Sequence, residues 1–106
     1  MDLLTAADIA GRARAEHLHP QAIILFGSVA KGTSGPYSDL DFLIVASREA
    51  GERQDLLNQC RDAIGKLPVP VDFLVYYPDE VAAKRDRCGS VVREALRTGR
   101  VMHGSV

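Results

Sequence analysis

The sequence predicts an α/β (α+β) domain: a small mixed β-sheet covered by helices. Three observations lead there. The apolar runs Gln21–Phe26, Asp39–Ala46 and Val71–Tyr76 have the length of strands rather than helices. Stretches with helical spacing or helix-start signals lie before, between and after them. Clusters of Gly, Pro and Ser punctuate the joints.

Taken in order, Thr5-Ala6-Ala7-Asp8 is a capping-box pattern, and Ile9, Ala13 and Leu18 continue a helical stripe to the break at Pro20. Gln21–Phe26 (QAIILF) reads as a buried strand. Gly27 and Ser28 turn the chain into a short helical piece, Val29-Ala30-Lys31, which stops at Gly32; residues 33–36 are loop by composition. Asp39–Ala46 (DLDFLIVA) is apolar on both faces after its first three residues, as a central strand should be. A helix over about Arg53–Leu67 carries Leu56, Cys60, Ile64 and Leu67 along one side. Pro68 and Pro70 end it and deliver a third strand, Val71–Tyr76 (VDFLVY). Pro78-Asp79-Glu80 opens another helix, with its acids against the positive end of the dipole. Ser90 caps a last helix, Val91–Thr98, closed by Gly99 as a C-terminal glycine, and Arg100–His103 can add a terminal strand. No repeat, low-complexity tract or linker interrupts the order, so one domain is expected over residues 1–106.

Composition narrows the function classes. A chain of 106 residues, 46% hydrophobic and 25% charged, can bury a core. No apolar run approaches the roughly 20 residues of a membrane span, and the start lacks a signal pattern, so a cytoplasmic protein is expected. Cys60 and Cys88 stand apart, without histidines at ligand spacing, and read as two reduced thiols rather than a zinc site. Net charge is −1 but unevenly spread: residues 1–80 hold 7 Lys/Arg against 12 Asp/Glu, whereas residues 81–106 hold 6 against 2. The basic run reads as a solvated helix face or as a surface for a partner or polyphosphate. The acidic excess elsewhere argues against broad nucleic-acid affinity.

Three carboxylates carry the chemical argument. Asp39 and Asp41, two apart on a strand, aim at one face, and the next residues on that face are Leu43 and Val45. Such a pair fits a cation between the carboxylates or one protonated carboxyl; alternatively, Asp39 ends the loop and Asp41 sits exposed at a strand edge. Asp72 lies inside VPVDFLVY, where burial of a lone carboxylate costs several kcal/mol unless it is paired or coordinated. Two strands bearing acids against propensity suggest one carboxylate cluster. Hard oxygen ligands of this type suit magnesium or manganese, and two ions about 4 Å apart would clamp a phosphoryl transfer.

Gly27 and Ser28 follow a strand and open a helical piece, a place where backbone N–H groups meet anions. Gly27 permits close approach of a phosphate, Ser28 adds a hydroxyl donor, and Lys31 can supply charge. The loop is not a Walker A motif, because Thr33 stands where its lysine belongs.

Gly27-Ser28, ten intervening residues, Asp39-Leu40-Asp41, and Asp72 on a later strand together resemble the signature of the DNA polymerase beta-type nucleotidyltransferase superfamily. More narrowly the chain resembles the minimal nucleotidyltransferase (MNT) family, short domains often encoded beside HEPN-type RNase toxins. The helix before the Gly-Ser strand, PVDFLVYYPDEV and GSVVREALRTGRV extend the likeness over nearly the whole chain.

That resemblance implies a polymerase beta-like nucleotidyltransferase fold and a metal-dependent enzyme. Asp39 and Asp41 would hold two magnesium (or manganese) ions, and Asp72 would share the catalytic ion and help deprotonate the incoming hydroxyl. Gly27 and Ser28 would hold the nucleotide's outer phosphates, with Lys31 where many relatives have arginine or lysine. The implied reaction moves AMP from ATP onto a hydroxyl. The short chain leaves little beyond a catalytic core, so the acceptor is expected to bring its own surface, as a HEPN toxin would. The rival from another class is a non-catalytic antitoxin that neutralises its partner by occlusion.

Overall fold

A computed structural model describes residues 20–27, 40–64 and 71–104. The three apolar runs form β1 (Ala22–Phe26), β2 (Leu40–Val45) and β3 (Val71–Tyr76), and a terminal strand β4 covers Arg100–Gly104. The helices are α1 (Arg53–Ile64), α2 (Pro78–Lys84) and α3 (Val91–Thr98), with a 3₁₀ turn at Arg48–Ala50. The strands make one sheet in the order β3-β2-β1-β4. β1 is antiparallel to both its neighbours, and β2 runs parallel to β3. The sheet is therefore mixed, as expected. A parallel neighbour cannot follow through a tight hairpin, and the crossover from β2 to β3 contains α1.

The two central strands are apolar on both faces because both faces are covered. On one face Leu25, Phe42, Ile44 and Phe73 meet Leu56 and Cys60 of α1, with the Phe42 and Phe73 rings stacked at 5.7 Å between centroids. On the other, Ile24, Leu43 and Val45 lie with Val81 of α2 and Val92 and Ala95 of α3. Burial of Cys60 pushes its thiol up to about 11, so it stays protonated, whereas Cys88 is exposed between α2 and α3.

The predicted third strand and last helix coincide with β3 and α3; β1 starts one residue later than expected, β2 ends one residue sooner, with Asp39 outside the described residues, and β4 runs one residue further. The N-terminal helix, the Val29-Ala30-Lys31 piece, the loop at 33–36 and Leu67 lie outside the described residues. Ser90 caps α3 as expected: its Oγ accepts the Arg93 N–H at 3.0 Å and donates to the Lys84 carbonyl at 2.8 Å. Gly99 closes that helix for a different reason than a left-handed cap. Its φ is −79°, but an added Cβ would lie 2.6 Å from Ile24 Cγ2 and 2.9 Å from the Leu25 carbonyl oxygen. Close packing of the helix end on β1 requires the glycine.

The carboxy-terminal ends of β2 and β3 are fastened by charged and aromatic side chains. Arg48 donates to both Asp79 carboxylate oxygens, at 2.9 and 2.7 Å, and its guanidinium lies 4.3 Å from the Tyr77 ring centre. Tyr77 donates its hydroxyl to the Gly51 carbonyl at 3.0 Å. Glu80, three residues on, accepts the Tyr77 N–H at 3.0 Å and pairs with Arg53. Hydrogen bonding from Arg53 holds the Glu80 carboxyl below its ordinary range, and Arg48 does the same for Asp79.

Candidate active site

The opposite end of the sheet brings together two of the three predicted acids, Asp41 and Asp72. Asp41 is the second residue of β2, and Asp72 is the second residue of β3. The parallel register sets Asp41 beside Asp72, and the antiparallel register sets Phe26 beside Asp41. Directly paired residues share a face, so Phe26, Asp41 and Asp72 form one row across three strands. The next row on that face is Ile24, Leu43 and Leu74, packed in the apolar cluster with α3. The carboxylates thus stand where the apolar layer stops.

Their environments differ. Asp41 is half-buried and Asp72 is exposed. The exposure of Asp72 corrects the expectation of a carboxylate inside a buried strand. Among the described residues β3 is an edge strand, and Asp72 sits near its beginning, so water reaches a position that apolar sequence neighbours alone would place in the core. What ties Asp72 to Asp41 is register, not the cost of burial.

Gly27 completes the described part of the site. It follows β1, has φ +83°, and lies against Asp41: an added Cβ would be 2.5 Å from Asp41 Oδ2. Backbone conformation and the neighbouring carboxylate both demand glycine there. The sequence supplied only the first kind of reason, a turn or close approach. Asp39, Ser28 and Lys31 lie outside the described residues. Among the described residues no group of three or more His, Cys, Asp and Glu side chains could hold a metal ion. The described pair is two hard oxygen donors on one face, a donor set that fits a divalent magnesium or manganese ion. Arg100, which the sequence places in the basic run and at the start of a terminal strand, begins β4 opposite Leu25, two residues before Gly27.

Residues 8–98 match the nucleotidyltransferase domain family. The chain belongs to that family. Its members' fold is also found in solved structures. A toxin–antitoxin crystal structure with AMP-PNP is 22% identical, with a TM-score of 0.57 over 93% of this chain and 73% of that one. A toxin–antitoxin MntA–HpeT mutant carrying two aspartate-to-glutamate changes is 22% identical, with a TM-score of 0.55 over 92% and 72%. No curated protein matches the chain. The nucleotidyltransferase resemblance read from Gly27-Ser28, Asp39-Leu40-Asp41 and Asp72 therefore holds at the level of family and fold. Among the described residues no helix is long and apolar enough to cross a membrane.

Proposed function

We propose that this nucleotidyltransferase, acting as one domain over residues 1–106, moves AMP from ATP onto a hydroxyl of a partner protein. The observation that carries this reading is the in-register pairing of Asp41 with Asp72 beside Gly27. Support for the nucleotide comes from the similar toxin–antitoxin structure with AMP-PNP, and support for a protein partner comes from both toxin–antitoxin relatives. A HEPN-type toxin in the cytoplasm is the partner this reading favours, with the chain as its antitoxin.

Asp39, Asp41 and Asp72 would hold two magnesium or manganese ions, which supply charge neutralisation and Lewis acidity at the phosphates. Gly27 leaves room for the nucleotide's phosphates, Ser28 donates its hydroxyl to them, and Lys31 adds positive charge. The acceptor oxygen attacks the α-phosphorus in line; the bond from that phosphorus to the bridging oxygen breaks, and pyrophosphate leaves. The acceptor's proton passes to an Asp72 carboxylate oxygen, for which an exposed acid at the strand start is well suited.

Intact-mass spectrometry of a co-expressed HEPN-type partner, mixed with the chain, ATP and magnesium, tests this. One or more adenylyl increments are expected. Asp72→Asn should abolish them while the partner still binds. If no nucleotide gives an increment, and Asp72→Asn neutralises the partner as well as wild type does, the chain acts by occlusion.

A further inference from the structure

β3 is an edge strand, and its outer margin forms the floor of a cleft of about 180 Å³. Leu57 of α1 together with Phe73, Val75 and Tyr76 give the cleft its apolar lining, and Arg53 and Lys84 provide its charge. Both cations attend one ring: the Lys84 ammonium is 4.8 Å from the Tyr76 centroid and the Arg53 guanidinium 5.8 Å.

Backbone direction adds a second feature. The Tyr76 carbonyl accepts the Ala46 N–H at 3.1 Å and so points toward β2. Alternation turns the Val75 carbonyl outward, where Arg53 Nε donates to it at 3.0 Å. Phe73 has the same parity as Val75, so its N–H and C=O also face the cleft side. Among the described residues no strand pairs with this margin.

With the Val75 carbonyl taken by Arg53, the outward N–H and C=O of Phe73, the apolar floor and the flanking cations are the parts that can hold an extended peptide against the sheet. Arg53 pairs with Glu80, whose carboxylate also feels Lys84, so the cleft's two cations exceed that one carboxylate by a single charge, which Lys84 supplies. We propose that the β3 cleft docks an extended segment of a partner protein, with an apolar side chain in the cleft and acidic side chains flanking it. That the partner is also the acceptor rests on the function proposed above. The cleft begins one residue beyond Asp72, and Val75 is about 10 Å from it along the strand, at roughly 3.3 Å per residue. A docked segment would then carry a hydroxyl residue to Asp72 about three positions from the one beside Val75.

The probe is a fluorescein-labelled hexapeptide, Ser-Glu-Val-Glu-Val-Ser, compared with its Ser-Lys-Val-Lys-Val-Ser counterpart by fluorescence anisotropy. The acidic peptide is expected to bind wild type at least tenfold more tightly, and Lys84→Glu should abolish or reverse that preference. Lys84→Gln, a milder change, should reduce it if Lys84→Glu fails to fold. Equal binding of the two peptides, or a preference that survives both folded variants, overturns the proposal. The assay uses neither ATP nor metal, so it separates the two readings. Charge-selective binding with no adenylyl increment on any partner would remove the proposed chemistry and keep the cleft. Increments on a partner without charge-selective binding would do the reverse.

Discussion

The two ends of the sheet are built on opposite plans. Where β2 and β3 finish, Arg48, Arg53, Asp79 and Glu80 are paired, and Tyr77 lies under both guanidinium groups with its hydroxyl bonded to Gly51. Where the same strands begin, Asp41 and Asp72 stand side by side as like charges at the rim of the apolar layer. One end pairs opposite charges across 27 and 31 residues of sequence, and the other sets two carboxylates in one row, Asp72 exposed and Asp41 half-buried. Like charges in adjacent register destabilise a sheet by roughly 0.2–1 kcal/mol. The sheet tolerates that arrangement where the neighbouring rows are thoroughly apolar, and a bound cation would relieve it.

If the ends have separate roles, substitutions should sort by end. The largest effect is expected at the acids: Asp72→Asn or Asp41→Asn should lower nucleotidyl transfer by at least a hundredfold, about 2.7 kcal/mol of transition-state stabilisation, with melting temperature held or raised for Asp72→Asn. Wild type should also gain melting temperature from magnesium with ATP, and Asp41→Asn should lose most of that gain. An equal metal response in both proteins would remove the carboxylate pair from the site.

Next is Leu56→Ala, which empties a fully buried position of α1 on the face away from the acids. A cost of about 2–5 kcal/mol in chemical denaturation is expected, with turnover per folded molecule unchanged. Gly27→Val bridges the two classes. Strain at positive φ costs about 1–2 kcal/mol, and its side chain must displace the Asp41 carboxylate. Stability and steady-state kinetics should both fall, and normal turnover would detach this glycine from catalysis.

The fastened end should answer more quietly. Tyr77→Phe removes the bond to Gly51 and should cost about 1 kcal/mol with no change in kcat. The smallest effect is acid sensitivity. Glu80 is held below its ordinary range, so its stabilising contribution is full above that range and fades as pH falls through the depressed value. Melting temperatures across that acidic interval should fall less steeply for Glu80→Gln than for wild type.

The apolar runs and their Gly, Pro and Ser boundaries made β3 and α3 legible residue for residue, because both elements have strong period and hard stops. That Asp41 and Asp72 come together was legible too, from two strands bearing acids against propensity. The environment of Asp72 was not, since a strand's own sequence does not say whether it lies at an edge or in the middle of a sheet. The Arg48–Asp79 contact was equally hidden: its partners are 31 residues apart and leave no periodic trace. The 3₁₀ turn at Arg48–Ala50 is too short for any pattern, and Ser47, whose Oγ accepts the Glu49 N–H at 3.2 Å, is its one local cue.

The contrast between the two cysteines gives this molecule a built-in reporter of breathing. A maleimide added near neutral pH would label exposed Cys88 at once, while Cys60, protonated until about 11 and walled in beneath the sheet, would wait for α1 to lift. In a Cys88→Ser background the labelling rate of Cys60 then times the opening of the core. Nucleotide and divalent ion binding at the far rim would be read as a slowing of that clock, with no probe introduced anywhere near the carboxylates.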